Sequence, residues 1–284
     1  MQTIGYAALA LIAFAGNSVL CRLALHDGAI DPASFSTIRV TSGAATLLLV
    51  TLATRRDRSG LAASWTSAAM LALYAIPFSF AYASLSTGTG ALILFGSVQV
   101  TMLAAAVRSG ERTHAIEWVG LTAALGGLLY LVLPGLAAPP LMAAALMGLA
   151  GFSWGIYSLR GRSGSNPLAQ TTANFVRAIP FVLVASLATL WRFHASPRGA
   201  TLAVASGALA SGLGYVAWYA ALRGLTRMRA AIVQLAVPIL AAVGGVVFLA
   251  EAISVRLVLS TIMVLGGIGL AIVWRERLSR TARP

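Results

Sequence analysis

Ten apolar stretches, each about twenty residues long, follow one another along almost the whole chain. They cover residues 3–21, 33–53, 65–85, 89–107, 115–133, 139–159, 169–190, 201–222, 230–250 and 254–274. A helix of about 20 apolar residues crosses the roughly 30 Å hydrocarbon core of a bilayer. The connections between the stretches are too short to hold a soluble catalytic domain. The sequence therefore predicts an all-α polytopic membrane protein with ten transmembrane helices.

The positive charge is distributed unevenly between alternate loops. All 20 basic residues are arginines, and the net charge is +13, but most of them lie between apolar stretches rather than in one basic patch. Because basic loops stay in the cytoplasm, we expect a bacterial inner-membrane protein with both termini cytoplasmic and no nucleic-acid partner. The loops and tail on the N-terminal side hold Arg55, Arg56, Arg58, Arg108, Arg112, Arg160, Arg162, Arg223, Arg227, Arg229, Arg275, Arg277, Arg280 and Arg283, and the opposite loops hold Arg22, Arg192, Arg198 and Arg256.

The two halves of the chain resemble each other. With a shift of 138 residues, "FSTIR" lies over "ANFVR", so that Arg39 overlays Arg177. Each half contains five predicted helices, and an odd number makes the second half enter the membrane from the opposite face. We therefore expect two inverted five-helix repeats, residues 1–136 and 137–284, in one integral membrane domain.

Arg39 and Arg177 lie inside predicted membrane spans, where a charge is costly and marks a function or a structural lock. Their mirrored positions suit two gates or two locks. The alternative is that each arginine snorkels and binds carbonyl groups of neighbouring helices. Polar amides and helix breaks at membrane depth also need protein or water partners. The expected gating or structural set, with the hinges at its proline and glycine positions, is Asn17, Arg39, Asn174, Arg177, Pro77, Gly214 and Pro238.

An aromatic stripe runs along the third predicted helix. Tyr74, Phe78 and Tyr82 recur every four residues, which places them near one helical face. A phenol deep in a membrane span needs a hydrogen-bond partner, so the stripe predicts the wall of a wet cavity. Ordinary helix packing is the alternative. The counterparts in the eighth helix are Ser211, Tyr215 and Tyr219.

We expect a small amphipathic zwitterion to bind against this wall. Its ring would stack on aromatic side chains, while amides, hydroxyls and helix ends would satisfy its amino and carboxylate groups. The expected substrate-binding residues are Tyr74, Phe78, Tyr82, Phe95, Gln99, Trp154, Tyr157, Tyr215, Trp218, Tyr219 and Gln234.

Several of these features together resemble a known family. An arginine in the second helix of each half, "AVPIL" in the ninth helix, and glutamates in "SGERTH" and "FLAEAIS" look like the drug/metabolite transporter superfamily, specifically its EamA-type exporters. The chain is most similar to the YddG-type aromatic amino acid exporters of bacteria. One departure is Gln99, which stands where the second half has Pro238. The resemblance implies a monomeric inner-membrane exporter of amino acids, aromatic or neutral, and of related small metabolites, working by alternating access.

Two other functions are consistent with parts of the sequence. A multidrug or other metabolite exporter of the same superfamily would share the fold. "GFSWG" at 151–155 has the spacing of a hydrolase nucleophile, but His26, His114 and His194 all lie at predicted helix ends, out of reach of Ser153. Gly151 and Gly155 instead form a GxxxG pattern, which predicts close helix packing.

The sequence indicates no metal, redox group or other cofactor. It has a single cysteine, Cys21, and its three histidines lack metal-ligand spacing. Proton-driven carriers usually keep a carboxylate within the membrane, whereas the acidic residues here lie in loops or at helix ends, apart from Glu117 just inside the fifth helix. We therefore expect facilitated diffusion rather than proton antiport.

Overall fold

Ten long helices make up the part of the protein that the structure, a computed structural model, describes. The described residues are 2–54, 64–108, 115–133, 138–161, 166–225 and 233–281. Within them the regular structure is helical, and the only strand-like contact is an isolated bridge between Ile30 and Ala195. The helices are α1 Gln2–His26, α2 Pro32–Ala53, α3 Trp65–Tyr82, α4 Thr87–Arg108, α5 Ala115–Val132, α6 Leu141–Gly161, α7 Pro167–Ala188, α8 Pro197–Leu222, α9 Ala236–Leu249 and α10 Val255–Thr281.

Several helices have the length and composition of membrane spans. Helices α1, α2, α6, α7 and α8 are long and apolar enough to cross a bilayer, and α4, α5, α9 and α10 contain shorter apolar segments. Large apolar side chains are exposed on the outside of the bundle, including Leu49, Leu129 and Val247. These features are those of a polytopic membrane protein, and the number of ten spans stays a prediction.

Three helices begin at a polar residue followed by proline. Asp31, Asn166 and Ser196 each accept a hydrogen bond from a backbone N–H in the first turn of α2, α7 and α8, at 2.9, 3.2 and 3.1 Å. Proline suits the next position because its missing N–H would have no partner in the first turn. With these caps, the three helices start one to four residues before the first residues of their predicted apolar stretches.

The expected helix breaks agree only in part with the observed ones. Helix α3 continues through Pro77, and Pro238 lies in the first turn of α9, where proline disturbs no hydrogen bond. The break predicted at Pro77 is therefore wrong. Near Pro238 the helical backbone is interrupted at Leu235, just before α9 begins, which agrees with the break predicted there. In α8 the irregularity is a π-helical segment, Ser206–Leu213, which ends just before Gly214.

Helix packing has the same pattern in both halves. Helix α6 packs against α3 and α4, while α1 packs against α8 and α9, and α2 contacts α7 as α5 contacts α10. Each of these contacts is retained when a helix is exchanged for the one five places along. The central helices α1, α2, α3, α4, α6 and α8 meet in the interior, where the buried polar side chains lie.

The glycines of "GFSWG" allow α6 to approach α4 closely. A Cβ atom on Gly151 would lie 2.5 Å from the backbone oxygen of Leu94, and one on Gly155 would lie 2.9 Å from the side chain of Thr101. The prediction of a GxxxG packing face is confirmed. Only residues without a side chain fit at this contact, since the obstacle on one side is backbone.

We expect Gly151→Ala to lower thermal stability. The added methyl group would push the backbones of α4 and α6 apart, at a cost of about 1–3 kcal/mol. Gly148→Ala is the matched control, because a Cβ atom there meets nothing closer than the Ser97 hydroxyl at 3.9 Å. Thermal unfolding of both variants in detergent measures the difference, and equal stability would contradict this account of the helix contact.

Candidate functional site

A small cavity lies between six helices, α1, α2, α3, α4, α6 and α8. The space that the centre of a water molecule can occupy in it is about 20 Å³, which is on the order of one or two waters. The cavity is therefore contracted, and a metabolite would need the helices to separate. It is lined by Phe14, Asn17, Ser18, Arg39, Tyr74, Phe78, Leu94, Phe95, Trp154, Ala210, Ser211 and Tyr215.

Six of the twelve lining residues are aromatic, and they come from five helices, α1, α3, α4, α6 and α8. The ring of Trp154 lies 4.9 Å from that of Tyr74 and 5.3 Å from that of Tyr215. Phe78 packs against Tyr74 at 5.3 Å, and Phe14 packs against Tyr215 at 5.9 Å. These centroid distances are those of favourable aromatic pairs. The aromatic residues of the wall therefore contact one another directly.

Arg39 provides the charge of the cavity. Its side chain is buried, with 2% of the residue exposed. Nη2 donates to the Tyr74 hydroxyl at 2.8 Å, and Nε donates to the Ser211 hydroxyl at 3.2 Å. The guanidinium also lies over the rings of Tyr74 and Phe78, at 5.0 and 4.8 Å. Nη1 is buried and has no hydrogen-bond partner among the residues that the structure describes.

The π-helical segment of α8 supplies two of the polar contacts. The Ser206 hydroxyl donates to Oδ1 of Asn17 at 2.6 Å, and Nδ2 of Asn17 donates to the Tyr74 hydroxyl at 3.3 Å. Ser211, on the same segment, accepts from Arg39. π-Helical turns occur often at functional sites, and here the wide turn brings two hydroxyls into one polar network.

The cavity contains some of the residues that the sequence predicted and lacks others. Among the described residues, the expected substrate contacts in its lining are Tyr74, Phe78, Phe95, Trp154 and Tyr215, joined by Asn17 and Arg39 from the gating set. Sequence reasoning missed Phe14, Ser18, Leu94, Ala210 and Ser211 as lining residues. The overlay of Ser211 on Tyr74 was the signal that could have found one of them.

One end of the bundle, which we call the Arg22 end, is closed by an ion pair that the sequence did not predict. Nε of Arg22 lies 3.2 Å from Oε1 of Glu251, and its Nη1 donates to the backbone oxygens of Tyr82 and Ala83 at 3.0 and 3.1 Å. The other carboxylate oxygen of Glu251 accepts from the backbone N–H of Thr87 at 2.7 Å. The pair thus ties α1 and the α3–α4 connection to the end of α9.

Local backbone geometry positions Glu251 for this role. Ala250 adopts a left-handed conformation, with φ of 52°, and the N–H of Glu251 donates to the carbonyl of Gly245 at 3.1 Å. This is the hydrogen bond of a helix C-terminus that turns sharply. The turn directs the carboxylate back over α9 rather than away from the bundle.

Tyr82 belongs to the Arg22 end rather than to the cavity lining. Its ring contacts that of Phe78 at 4.7 Å, and its hydroxyl donates to the backbone oxygen of Thr87 at 3.3 Å. The side chain is fully buried. Tyr82 therefore separates the cavity from the ion pair above it.

A second aromatic layer lies between the cavity and the opposite end of the bundle, which we call the Arg160 end. The ring of Tyr157 stacks on that of Trp154 at 5.4 Å, and its hydroxyl accepts from Nδ2 of Asn174 at 3.4 Å. The Thr171 hydroxyl donates to Tyr219 at 3.2 Å. These expected substrate and gating residues lie beneath the cavity wall instead of in it.

Arg177 and Arg39 have different surroundings, although the sequence predicted matching roles. Arg177 is only half-buried and lies over the ring of Trp65, at 5.6 Å, near the start of α3. It does not line the cavity. The expectation of two equivalent arginines is therefore wrong for their contacts.

The remaining predicted contacts are scattered. Gln99 is buried on α4, and its amide nitrogen has no partner among the described residues. Trp218 packs on Phe14 at 5.8 Å but is not among the lining residues, and Gln234 is half-buried before α9. Several predicted charges lie outside the described residues, namely Arg55, Arg56, Asp57, Arg58, Glu111, Arg112, His114, Arg162, Arg227, Arg229 and Arg283, as does the side chain of Glu117.

A hydrolase site at Ser153 finds no support in the described residues. Its buried hydroxyl has no hydrogen-bond partner there. His26 lies at the exposed end of α1, where its Nδ1 is 2.7 Å from Asp27 and this hydrogen bond lowers the pKa of the Asp27 carboxyl. No group of three or more metal-binding side chains occurs in the described ranges either.

Three comparisons relate the chain to other proteins. Residues 141–273 match the model of a family described as the EamA-like transporter family. The chain is 49% identical over 282 residues to an uncharacterized protein of Pseudomonas aeruginosa, covering 99% of this chain and 98% of that one. A solved crystal structure of another protein is similar with a TM-score of 0.66, covering 95% of this chain and 99% of its own, at 19% identity. At that identity the likeness concerns the fold alone.

We expect Tyr74→Phe to destabilise the protein by about 1–3 kcal/mol, because two buried donors lose their acceptor. The donors are Nη2 of Arg39 and Nδ2 of Asn17. Tyr6→Phe is the control, since Tyr6 is exposed on α1. Thermal unfolding in detergent, followed by circular dichroism, measures both changes, and an unchanged midpoint in the Tyr74 variant would argue against the polar network.

Proposed function

Because residues 141–273 match the EamA-like transporter family, we propose that the chain carries small amphipathic metabolites across the membrane by alternating access. The observation that carries this proposal is the aromatic cavity, which lies inside the bundle between closed layers. A site enclosed from both ends and lined by helices from both halves is what a carrier needs. A channel would instead need a continuous pore.

The two halves are proposed to be inverted repeats that rock about the cavity. The family match begins at Leu141, the first residue of α6, and ends within α10, so the matched unit is five helices long. Exchange of helices five places apart preserves the packing pattern. Both observations support a division near residues 136 and 137.

We further propose that the substrates are amino acids, aromatic or otherwise neutral, as in the exporters that the sequence resembles most. Rings of Tyr74, Trp154 and Tyr215 can stack on an aromatic side chain. Among the described residues, the cavity lining includes no Asp or Glu, which supports facilitated diffusion rather than coupling to protons. The arginine-rich loops support a cytoplasmic position for the Arg160 end. Export from a bacterial inner membrane is proposed from the resemblance to the exporters.

The ion pair at the Arg22 end is proposed to act as the outer gate. Arg22 and Glu251 are mostly buried, with 11% and 15% of their side chains exposed, and they join the two halves above Tyr82. Separation of these charges would free α9 from the α3–α4 connection. The layer of Tyr157, Asn174 and Tyr219 would form the opposite gate.

Counterflow in proteoliposomes tests the transport function. Vesicles are preloaded with unlabelled tryptophan, phenylalanine, threonine, lysine or glutamate, and entry of the matching labelled amino acid is followed. We expect accumulation of the aromatic and bulky neutral ones, because the cavity wall is aromatic and no carboxylate lines it. Lack of accumulation with every amino acid would remove them as substrates and direct the same assay to drugs and other metabolites.

The matched variants for this assay are Trp154→Ala and Trp191→Ala. Trp154 lines the cavity, whereas Trp191 is 78% exposed in the turn after α7. We expect Trp154→Ala to reduce counterflow and Trp191→Ala to leave it unchanged. Equal loss in both would indicate a general defect of folding or insertion.

The single cysteine provides a direct test of the outer gate. Cys21 is fully buried and immediately precedes Arg22. We expect Glu251→Gln to make Cys21 react faster with a maleimide, because loss of the ion pair shifts the gate toward its open form; about tenfold corresponds to roughly 1.4 kcal/mol. The control is Arg198→Gln, which breaks an exposed pair with Asp27 at the same end. An unchanged labelling rate in the Glu251 variant would show that this pair does not hold the gate.

A further inference from the structure

We propose that Arg39 binds a carboxylate of the transported molecule, so that the substrates are organic acids or zwitterions with an apolar group and exclude amines that lack an acid. The inference rests on the transport function proposed above and names its substrate class. From the sequence, Arg39 is expected to have only a gating or structural role, and its role in binding a carboxylate is inferred from its contacts.

The charge of Arg39 is incompletely compensated by the protein. A guanidinium remains protonated and has five N–H donors. The hydrogen bonds of Arg39 in the described structure are one from Nη2 to Tyr74 and one from Nε to Ser211. Nη1 has no partner, and both acceptors are neutral hydroxyls. A buried cation without an anionic partner is costly, and a bound anion would remove that cost.

Arg22 shows what a fully paired arginine looks like in the same bundle. It is also buried, and it has the Glu251 carboxylate and two backbone oxygens as partners. Arg39 has neither a carboxylate nor a carbonyl partner among the described residues. Arg39 therefore differs from Arg22 in keeping donors available for a ligand in addition to its contacts with neighbouring helices.

The surroundings of Arg39 fit a carboxylate attached to a flat or apolar group. A planar guanidinium can bind both oxygens of a carboxylate with two parallel hydrogen bonds. Arg39, which carries the unpaired Nη1, is one of the cavity-lining residues. Nδ2 of Asn17, another lining residue, donates to the Tyr74 hydroxyl that also accepts from Arg39. Tyr74 and Phe78 cover the guanidinium face, and the stack continues to Trp154, along which a substrate ring can lie.

Among the described residues, the cavity offers an ammonium group no carboxylate. The lining contains no Asp or Glu, so a substrate ammonium would meet aromatic faces and neutral oxygens, which attract it less strongly than an ion pair would. Removal of the acid from a substrate should therefore weaken binding much more than removal of the amine. The protonated ammonium group of a substrate that lacks a carboxylate would in addition be repelled by the charge of Arg39.

The test is binding to the purified full-length protein in detergent, measured by isothermal titration. Two series of probes share their carbon skeletons: phenylalanine, 3-phenylpropionate, phenylalaninamide and phenethylamine, and leucine, 4-methylpentanoate, leucinamide and isopentylamine. Each series contains two compounds with a carboxylate, the amino acid and the simple acid, and we expect at least one of the two to bind. The amide and the amine of the same skeleton should bind at least about tenfold more weakly, a difference of about 1.4 kcal/mol. Equal binding of amine and acid, or failure of every acid to bind, would overturn the inference.

Arg39→Gln and Arg177→Gln form the matched pair of variants. Arg177 is an intramembrane arginine outside the cavity lining, with a buried Nη1 that likewise lacks a partner in the described residues. We expect Arg39→Gln to weaken binding of the acids by about 10- to 100-fold, the usual effect of hydrogen bonds to a charged group, without weakening binding of the amines. Arg177→Gln should leave the preference for acids intact. Loss of that preference in the Arg177 variant alone would contradict the assignment.

Two further measurements keep the proposal independent of a folding defect and of the transport function. Arg39→Lys retains the charge but not the two-pronged geometry, so it should keep a preference for acids at reduced affinity. The wild-type series alone decides the issue if neither Arg39 variant folds. Acids that bind through Arg39 but show no counterflow would contradict the transport proposal and support the carboxylate site. Counterflow of solutes that lack an acid would support transport and contradict the carboxylate site.

Discussion

The guanidinium of Arg39 is the interaction around which the centre of the protein is arranged. It lies at the junction of three helices, since Arg39 is on α2, Tyr74 on α3 and Ser211 on the π-helical segment of α8. A charge in an apolar interior needs hydrogen bonds and nearby polarisable groups. The phenol of Tyr74 extends the network to Asn17 on α1. One buried charge thus sets the relative positions of four helices.

Much of the fold could be predicted from the sequence. Most of the observed helices begin and end within about five residues of the apolar stretches; the exceptions are the start of α9, six residues late, and the end of α10, seven residues beyond. Proline after Asp31, Asn166 and Ser196 marks three of the starts. The π-helical segment could not be predicted, because its sequence of small residues is equally compatible with an α-helix. The Arg22–Glu251 pair was also missed, since its partners are 229 residues apart and no local pattern links them.

The site was predicted in part, and the failures have physical reasons. Residues spaced by four along an α-helix drift in angle and rise by about 6 Å at each step, so Tyr82 lies roughly 12 Å along the axis from Tyr74 and reaches a different layer. The overlay of Arg177 on Arg39 compares backbone positions only. Arg39 donates to Tyr74 and Ser211, and these two residues overlay each other when the halves are exchanged. The acceptors expected for Arg177 are therefore the same two hydroxyls. Arg39 already occupies them, and its charge would repel a second guanidinium there.

The π-helical segment Ser206–Leu213 allows α8 to change the register of its side chains without unfolding. Each hydrogen-bonded ring in it encloses one residue more than in an α-helix. A return to α-geometry would rotate the side chains beyond it by up to about 100°, the turn made by one residue. Ser211 would leave Arg39, and Tyr215 and Trp218 would face other neighbours. A single helix could in this way reset the polar and the aromatic parts of the cavity in one movement, with its ends held in place.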